Sequence, residues 1–291
     1  MFSFITSPLP QGPATGLAPR RALGLAACLA LTLALTGCSL VSGPDAATRL
    51  AAWLPADVLL LGEQHDASAH QAIEQQVVAA LADRGQLAAL ALEMADSGQS
   101  TAGLPAGASE EQTRRQLRWN NEAWPWAAYG PAVMAAVRAG VPVLGANLPR
   151  SDMRASMADS QLDQRLSGPA LKAQQQLIRQ GHCYLLPENQ ITPMTRIQIA
   201  RDRRMADTLA QAVQTGKVVV LISGSVHADK QLGVPQHLPA GLQVKSVRLQ
   251  AGGQRLPGES FDSVWATEAA PDKDHCAGLR EQFGKPAMAQ P

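Results

Sequence analysis

Four short apolar runs constrain this chain more than any other feature. Val58–Leu61 ends at Gly62-Glu63, and Leu87–Met94 carries a single acid, Glu93. Val141–Ala146 ends at Asn147, and Lys217–Ser223, the most hydrophobic, ends at Gly224. A strand apolar on both faces must be buried on both faces, as parallel strands covered by helices are. Helices are expected between them, at 67–83 with Asp66 as cap, after the capping-box string Ser109-Glu110-Glu111-Gln112, and at 131–139. Three more are expected at 150–160, 168–180 and 193–215, the last with Thr192 as N-cap and Pro193 in first position. Leu242–Gln250 and Ser263–Thr267 alternate and predict edge strands. Strand alternating with helix means an α/β fold, a largely parallel central sheet flanked by helices. The stretch around 150–215 reads as a helical insertion on that sheet.

The N-terminus predicts export. Arg20 and Arg21 precede an uncharged apolar run, Leu23 to Leu35, which ends in Leu35-Thr36-Gly37-Cys38. That order is a secretory signal peptide closed by a lipobox, with cleavage before Cys38 and the lipid on Cys38. The run is shorter than the ~20 residues of a membrane-spanning helix, so the lipid would be the anchor. Ser39 fits delivery to the outer membrane under the usual enterobacterial sorting rule. The expected organisation is a signal peptide over 1–37, a lipidated tether over 38–55, one α/β domain over 56–270 and a polar tail over 271–291. Aromatic residues are only 4% of the chain, so the core must be Ala, Leu and Val. A net charge of +1 points to no nucleic-acid partner. Cys28 leaves with the signal peptide and Cys38 takes the lipid. Cys183 and Cys276 remain, and an oxidising compartment favours a disulfide between them over two free thiols or metal ligands.

In open α/β sheets, ligands bind beyond the carboxyl ends of the strands. The residues delivered there are Glu63 and His65, Glu93, Asn147, and Ser223-Gly224-Ser225-Val226-His227. A glutamate directly after a buried strand is awkward for structure alone, because Glu is rarely buried unpaired. Glu with His supplies general acid and base near neutral pH. The same side chains bind divalent metals, so metal-free and metal-assisted chemistry both stay open. Asn147 serves a site or caps the next helix. Arg201 shares a helical face with Ile197, and turned inward it would hold a carboxylate or phosphate. The rest of the Arg201–Arg204 charge run reads as a solvated face.

Six strings in order, LLGEQHDASAHQ, LALEM, GANLPR, HCYLLP, IQIARDRRMA and LISGSVHAD, resemble the ChaN family of haem-binding lipoproteins. The likeness spans about residues 57–280. It implies export, membrane anchoring and a place in haem-iron acquisition. It also implies a wider superfamily with Tiki proteins and erythromycin esterase, hydrolases that share the strand-end motifs matched by Glu63, His65, Glu93 and His227. In ChaN a homodimer encloses two stacked haems. A tyrosine of one subunit ligates each iron, and a histidine and a lysine of the other hold propionates. This chain has two tyrosines, Tyr129 and Tyr184, as candidate ligands. It has no CxxCH, so covalent c-type haem is excluded. The resulting expectation is a lipid-anchored haem-binding protein on the periplasmic face of the outer membrane. The alternative is a Glu/His or metal-dependent hydrolase.

Overall fold

The computed structural model describes residues 46–252 and 260–283. The expected signal peptide, lipobox and lipidated Cys38 lie outside the described residues. Six parallel strands form one sheet: β1 (Val58–Glu63), β2 (Leu87–Asp96), β3 (Val143–Asn147), β4 (Val218–Gly224), β5 (Val244–Ala251) and β6 (Ser263–Thr267). Their spatial order is β3-β2-β4-β1-β5-β6. The three most apolar runs are therefore neighbours at the centre. Val58 pairs with Val219 and Glu63 with Gly224, so β1 and β4 end level.

Side-chain period two sorts the core into two layers. Leu59, Leu61, Leu90, Leu92, Val220 and Ile222 face α1 (Ala46–Trp53), α2 (Ser68–Asp83) and α4 (Trp126–Arg138). Val58, Leu60, Ala89, Ala91, Val219 and Leu221 face α7 (Glu188–Ala212) through Met205, Ala206 and Leu209. Alanines on β2 let that helix approach closely. A third cluster, Leu148, Leu162, Leu166, Ile197 and Ile199, seals the helical insertion. It includes α5 (Met153–Ala158) and α6 (Gly168–Gly181).

Several local expectations need correction. β5 is internal, paired with both β1 and β6, and the edges are β3 and β6. β6 covers its outer side, and Ser246, Val247, Leu249 and Gln250 are buried. Asp66 does not cap α2: the N-cap is Ala67, with no side-chain bond, and Asp66 instead pairs with His275 at 3.2 Å. α4 begins at Trp126, five residues early, because Asn121 Oδ1 accepts the Trp126 N–H and Pro131 is tolerated inside the helix. α7 begins at Glu188, with Pro193 inside it. Thr192-Pro193 carries the sequence signature of a helix start, but an earlier start is sustained by the contacts of Ile191 and Thr195, both buried. The 150–160 stretch is α5 flanked by two short 3-10 turns. The tail is partly ordered as α8 (Ala277–Phe283), and the capping box at Ser109 forms at the start of α3 (Glu110–Gln116).

Candidate functional site

β1 delivers Glu63 into the interior, 2% exposed. One carboxylate oxygen accepts the Tyr129 hydroxyl at 2.7 Å and lies 2.8 Å from His65 Nδ1. The other accepts the Gln71 side-chain amide at 2.6 Å. Behind it stands Glu74, fully buried on the inner face of α2. Burial, reinforced by the Glu63 charge and a hydrogen bond to Glu63, holds the Glu74 carboxyl well above its ordinary range. Burial and the same neighbour hold the Tyr129 phenol neutral.

β2 delivers Glu93. It accepts the Gly224 N–H at 2.7 Å, and its other oxygen lies 3.4 Å from His227 Nε2. Burial would raise its pKa. The charges of His227 and His65 and the Gly224 N–H reverse that and hold it well below the usual carboxylate range. His227 stands in the turn after β4, and its Nδ1 lies 2.5 Å from Asp202. Burial opposes charge on His227, but Glu93 and Asp202 on either side outweigh it and raise its pKa to about 10. Burial pushes Asp202 upward, against the pull of the imidazolium. Gln198 adds its amide 3.0 Å from His227 Nε2.

His65 joins the two halves. Its Nδ1 faces Glu63 and its Nε2 lies 3.9 Å from Glu93. Burial lowers its pKa, yet the Glu63 hydrogen bond and the Glu93 and Glu63 charges leave it raised. Trp124 packs edge-on against the ring at 4.9 Å between centroids. The His65 side chain is 40% exposed, while those of Glu63, Glu93 and His227 are 6% or less. Close approach explains two glycines. A Cβ on Gly224 would lie 3.1 Å from His65 Nε2, and one on Gly62 would lie 2.8 Å from the Ala228 Cβ.

Glu63, His65, Glu93 and His227 are thus brought together in one chain of contacts, running from Tyr129 to Asp202. Two clefts, of about 400 and 460 Å³, lie beside the β2–β3 edge and between α5 and α7, and none of these four residues lines either. The network meets solvent at the His65 ring. Among the described residues, no three His, Cys, Asp or Glu side chains are arranged to hold a metal ion.

The other expected residues stand apart. Asn147 is a brace: its amide donates to the Glu93 carbonyl at 2.8 Å and its oxygen accepts the Leu148 N–H. Arg201 is half-buried with its Nε unpartnered, and its charge pulls on Asp96 and Asp202. Tyr129 is 2% exposed, Tyr184 65%. Tyr184 sits at the tip between α6 and α7, where it and Cys183 both adopt left-handed backbone, φ 57° and 55°. That conformation costs about 1–2 kcal/mol per non-glycine residue. Cys183 is bonded to Cys276, Cα atoms 5.9 Å apart, and Gln176 donates to the Tyr184 hydroxyl at 3.2 Å.

Sequence reasoning missed Asp202, Gln198, Gln71 and Glu74. Asp202 and Gln198 share a helical face with Met205 and Leu209, and that apolar stripe is the signal that could have singled them out of the charge run. His70 is structural. Its Nδ1 accepts the Gln64 N–H and its Nε2 meets the Thr267 hydroxyl.

A parallel α/β sheet carrying a buried carboxylate–imidazole chain at its carboxyl edge, under a helical cap, defines the class. The profile of the family described as haem-binding uptake, Tiki superfamily, ChaN matches residues 49–238, and the chain belongs to that family. Among solved structures it is similar to ChaN of Campylobacter jejuni, described in cofacial haem binding. Identity is 26%, the TM-score 0.62, and the match covers 75% of this chain and 89% of that one. The type III effector HopBA1 matches at 16% identity and a TM-score of 0.47, over 77% of this chain and 94% of its own. No curated protein matches.

Proposed function

We propose that the chain is a lipid-anchored periplasmic protein that binds haem through Tyr184, in haem-iron acquisition. The contrast between its two tyrosines carries the reading. Tyr129 is buried and committed to Glu63, whereas Tyr184 is exposed, at the tip of a helical hairpin. Tyrosine oxygen is an established axial ligand to haem iron, and the porphyrin ring packs on apolar surface. The Gln176 amide donates to the phenolic oxygen at 3.2 Å, and Leu185 and Leu186 flank it, half-buried. Bound haem would supply a Lewis-acidic iron, and the protein's part is to present one oxygen and release its proton to water. The likeness to ChaN of Campylobacter jejuni, described in cofacial haem binding, supports haem as the ligand, and a haem-enclosing homodimer is part of the same proposal.

The test is a haemin titration of exported Cys38→Ser chain. The parent and Tyr129→Phe should develop a ferric tyrosinate spectrum, and Tyr184→Phe should not. If Tyr184→Phe binds like the parent, the assignment is wrong. Anchoring rests on Leu35-Thr36-Gly37-Cys38, and membrane fractionation tests it: Cys38→Ser should move the protein to the soluble fraction.

A second reading is favoured by one observation, the solvent-facing His65 ring backed by Glu63 and Glu93. A raised imidazole with an oriented tautomer is suited to general acid–base hydrolysis. Ester turnover by haem-free protein that His65→Ala abolishes would support it. Equal turnover by both would end it.

A further inference from the structure

We infer that the C-terminal strap, from about Asp274 to Phe283, is a positioning element for Tyr184. Two fastenings define the strap. Cys276 is bonded to Cys183, the residue before Tyr184. His275, its immediate neighbour, pairs with Asp66 at 3.2 Å, and Asp66 directly follows His65. The strap therefore ties the hairpin tip to the β1–α2 loop, beside the solvent-facing His65 ring. The strap has its own local order: Asp274 accepts the Cys276 N–H at 3.0 Å and pairs with Arg280 at 2.8 Å.

The tip needs such a fastening. Cys183 and Tyr184 are successive non-glycine residues at positive φ, a conformation that L-residues leave unless the surroundings hold them. Backbone bonds to the end of α6 supply part of that hold, Cys183 N–H to Gln180 O at 2.9 Å and Tyr184 N–H to Arg179 O at 2.8 Å. The Arg179 guanidinium forks onto the Glu188 carboxylate across the hairpin, at 3.0 and 2.8 Å. Gln176 donates to the phenol itself at 3.2 Å, and the covalent bond to Cys276 adds a constraint on the backbone next to it. Without that bond the backbone carrying the phenol samples more poses, and a ligand oxygen dispersed over more poses binds iron less tightly.

This inference rests on Tyr184 as the iron ligand. The test compares the exported Cys38→Ser chain with three variants in that background: Cys183→Ser/Cys276→Ser, His275→Ala and Tyr184→Phe. Far-UV circular dichroism reports the fold, and haemin titration reports affinity and the tyrosinate signature. The double serine variant should keep the fold, lose about tenfold or more in haemin affinity, and show a weakened or mixed tyrosinate spectrum. His275→Ala, with the disulfide intact, should shift affinity in the same direction by less. Parent-like affinity and spectrum in a folded double serine variant would overturn the strap's role. Should that variant fail to fold, parent-like haemin binding by His275→Ala overturns it instead. A tyrosinate spectrum surviving in Tyr184→Phe would remove the underlying reading, a separate outcome.

Discussion

Asp202 stands 2.5 Å from Nδ1 of His227, reaching it from α7 while Glu93 meets the opposite nitrogen at 3.4 Å. An imidazolium between two buried carboxylates holds the cap against the sheet edge. It also sets the sign of a pH dependence. The His227 pKa is raised from 6.5 to about 10 in the folded chain. Its contribution to stability is complete below pH 6.5 and is lost as pH rises toward 10. Burial raises Asp202 to about 6, so the pair is complete only above that value: Asp202→Asn should destabilise the chain by about 3–5 kcal/mol at pH 7.5, the usual cost of breaking a buried pair, and should flatten the alkaline decline. Urea unfolding at pH 7.5 and pH 9.5 measures both, and a decline as steep as the parent's between those pH values contradicts the assignment.

Gly62 lies where β1 meets the turn that presents His227. A Cβ there would sit 2.8 Å from Ala228 Cβ and 2.9 Å from Ser225 Cα. Neither is the flexible end of a side chain, so the turn must move. Gly62→Ala should cost about 1–3 kcal/mol and displace His227, seen as a shifted imidazole resonance by NMR. Wild-type stability and an unmoved resonance would contradict this.

The strand-end residues were legible because a parallel sheet converts sequence position into place. Glu63, Glu93 and the Gly224–His227 turn each follow an uninterrupted apolar run, and runs of that kind are central and co-directional. Asp202 was not legible, since Arg201–Arg204 reads as a solvated face until the register of α7 against the sheet is known. The start of α7 misled for a related reason. Thr192-Pro193 satisfies the local rules for a helix beginning, and burial of Ile191 and Thr195 overrides them. Cys183 and Cys276 are paired as expected. The two tyrosines could not be separated by sequence, because burial, which decides between them, depends on tertiary packing.

Tyr129 donates to Glu63 from the inner face of α4 at 2.7 Å. Removing the hydroxyl leaves the carboxylate with fewer donors in a buried place. Tyr129→Phe should destabilise the fold by about 1–3 kcal/mol and leave haemin binding unchanged. Denaturant midpoints and a haemin titration on the same preparation check both parts. Lost haemin affinity with undiminished stability would reverse the roles given to the two tyrosines.

Glu74 yields a prediction of opposite sign to an ordinary buried-charge mutation. Burial first, and then the adjacent Glu63 charge, hold its carboxyl protonated well above the usual range, and its Oε1 has no hydrogen-bond partner. A raised carboxyl pKa means that the folded state keeps a proton the unfolded chain releases. Its contribution is therefore complete below the unfolded value of 4.5 and is lost progressively as pH rises toward the folded value. Glutamine copies the shape of the protonated acid and cannot ionise. Glu74→Gln should be near neutral at pH 4 and more stable than the parent at pH 8, by the order of 1–3 kcal/mol that a poorly matched buried polar group costs. The stabilising difference should grow with pH, whereas loss of a functional ion pair would give destabilisation at pH 8. Thermal melts of both proteins across that range decide it, and a variant less stable than the parent at pH 8 would show that Glu74 is charged in the fold.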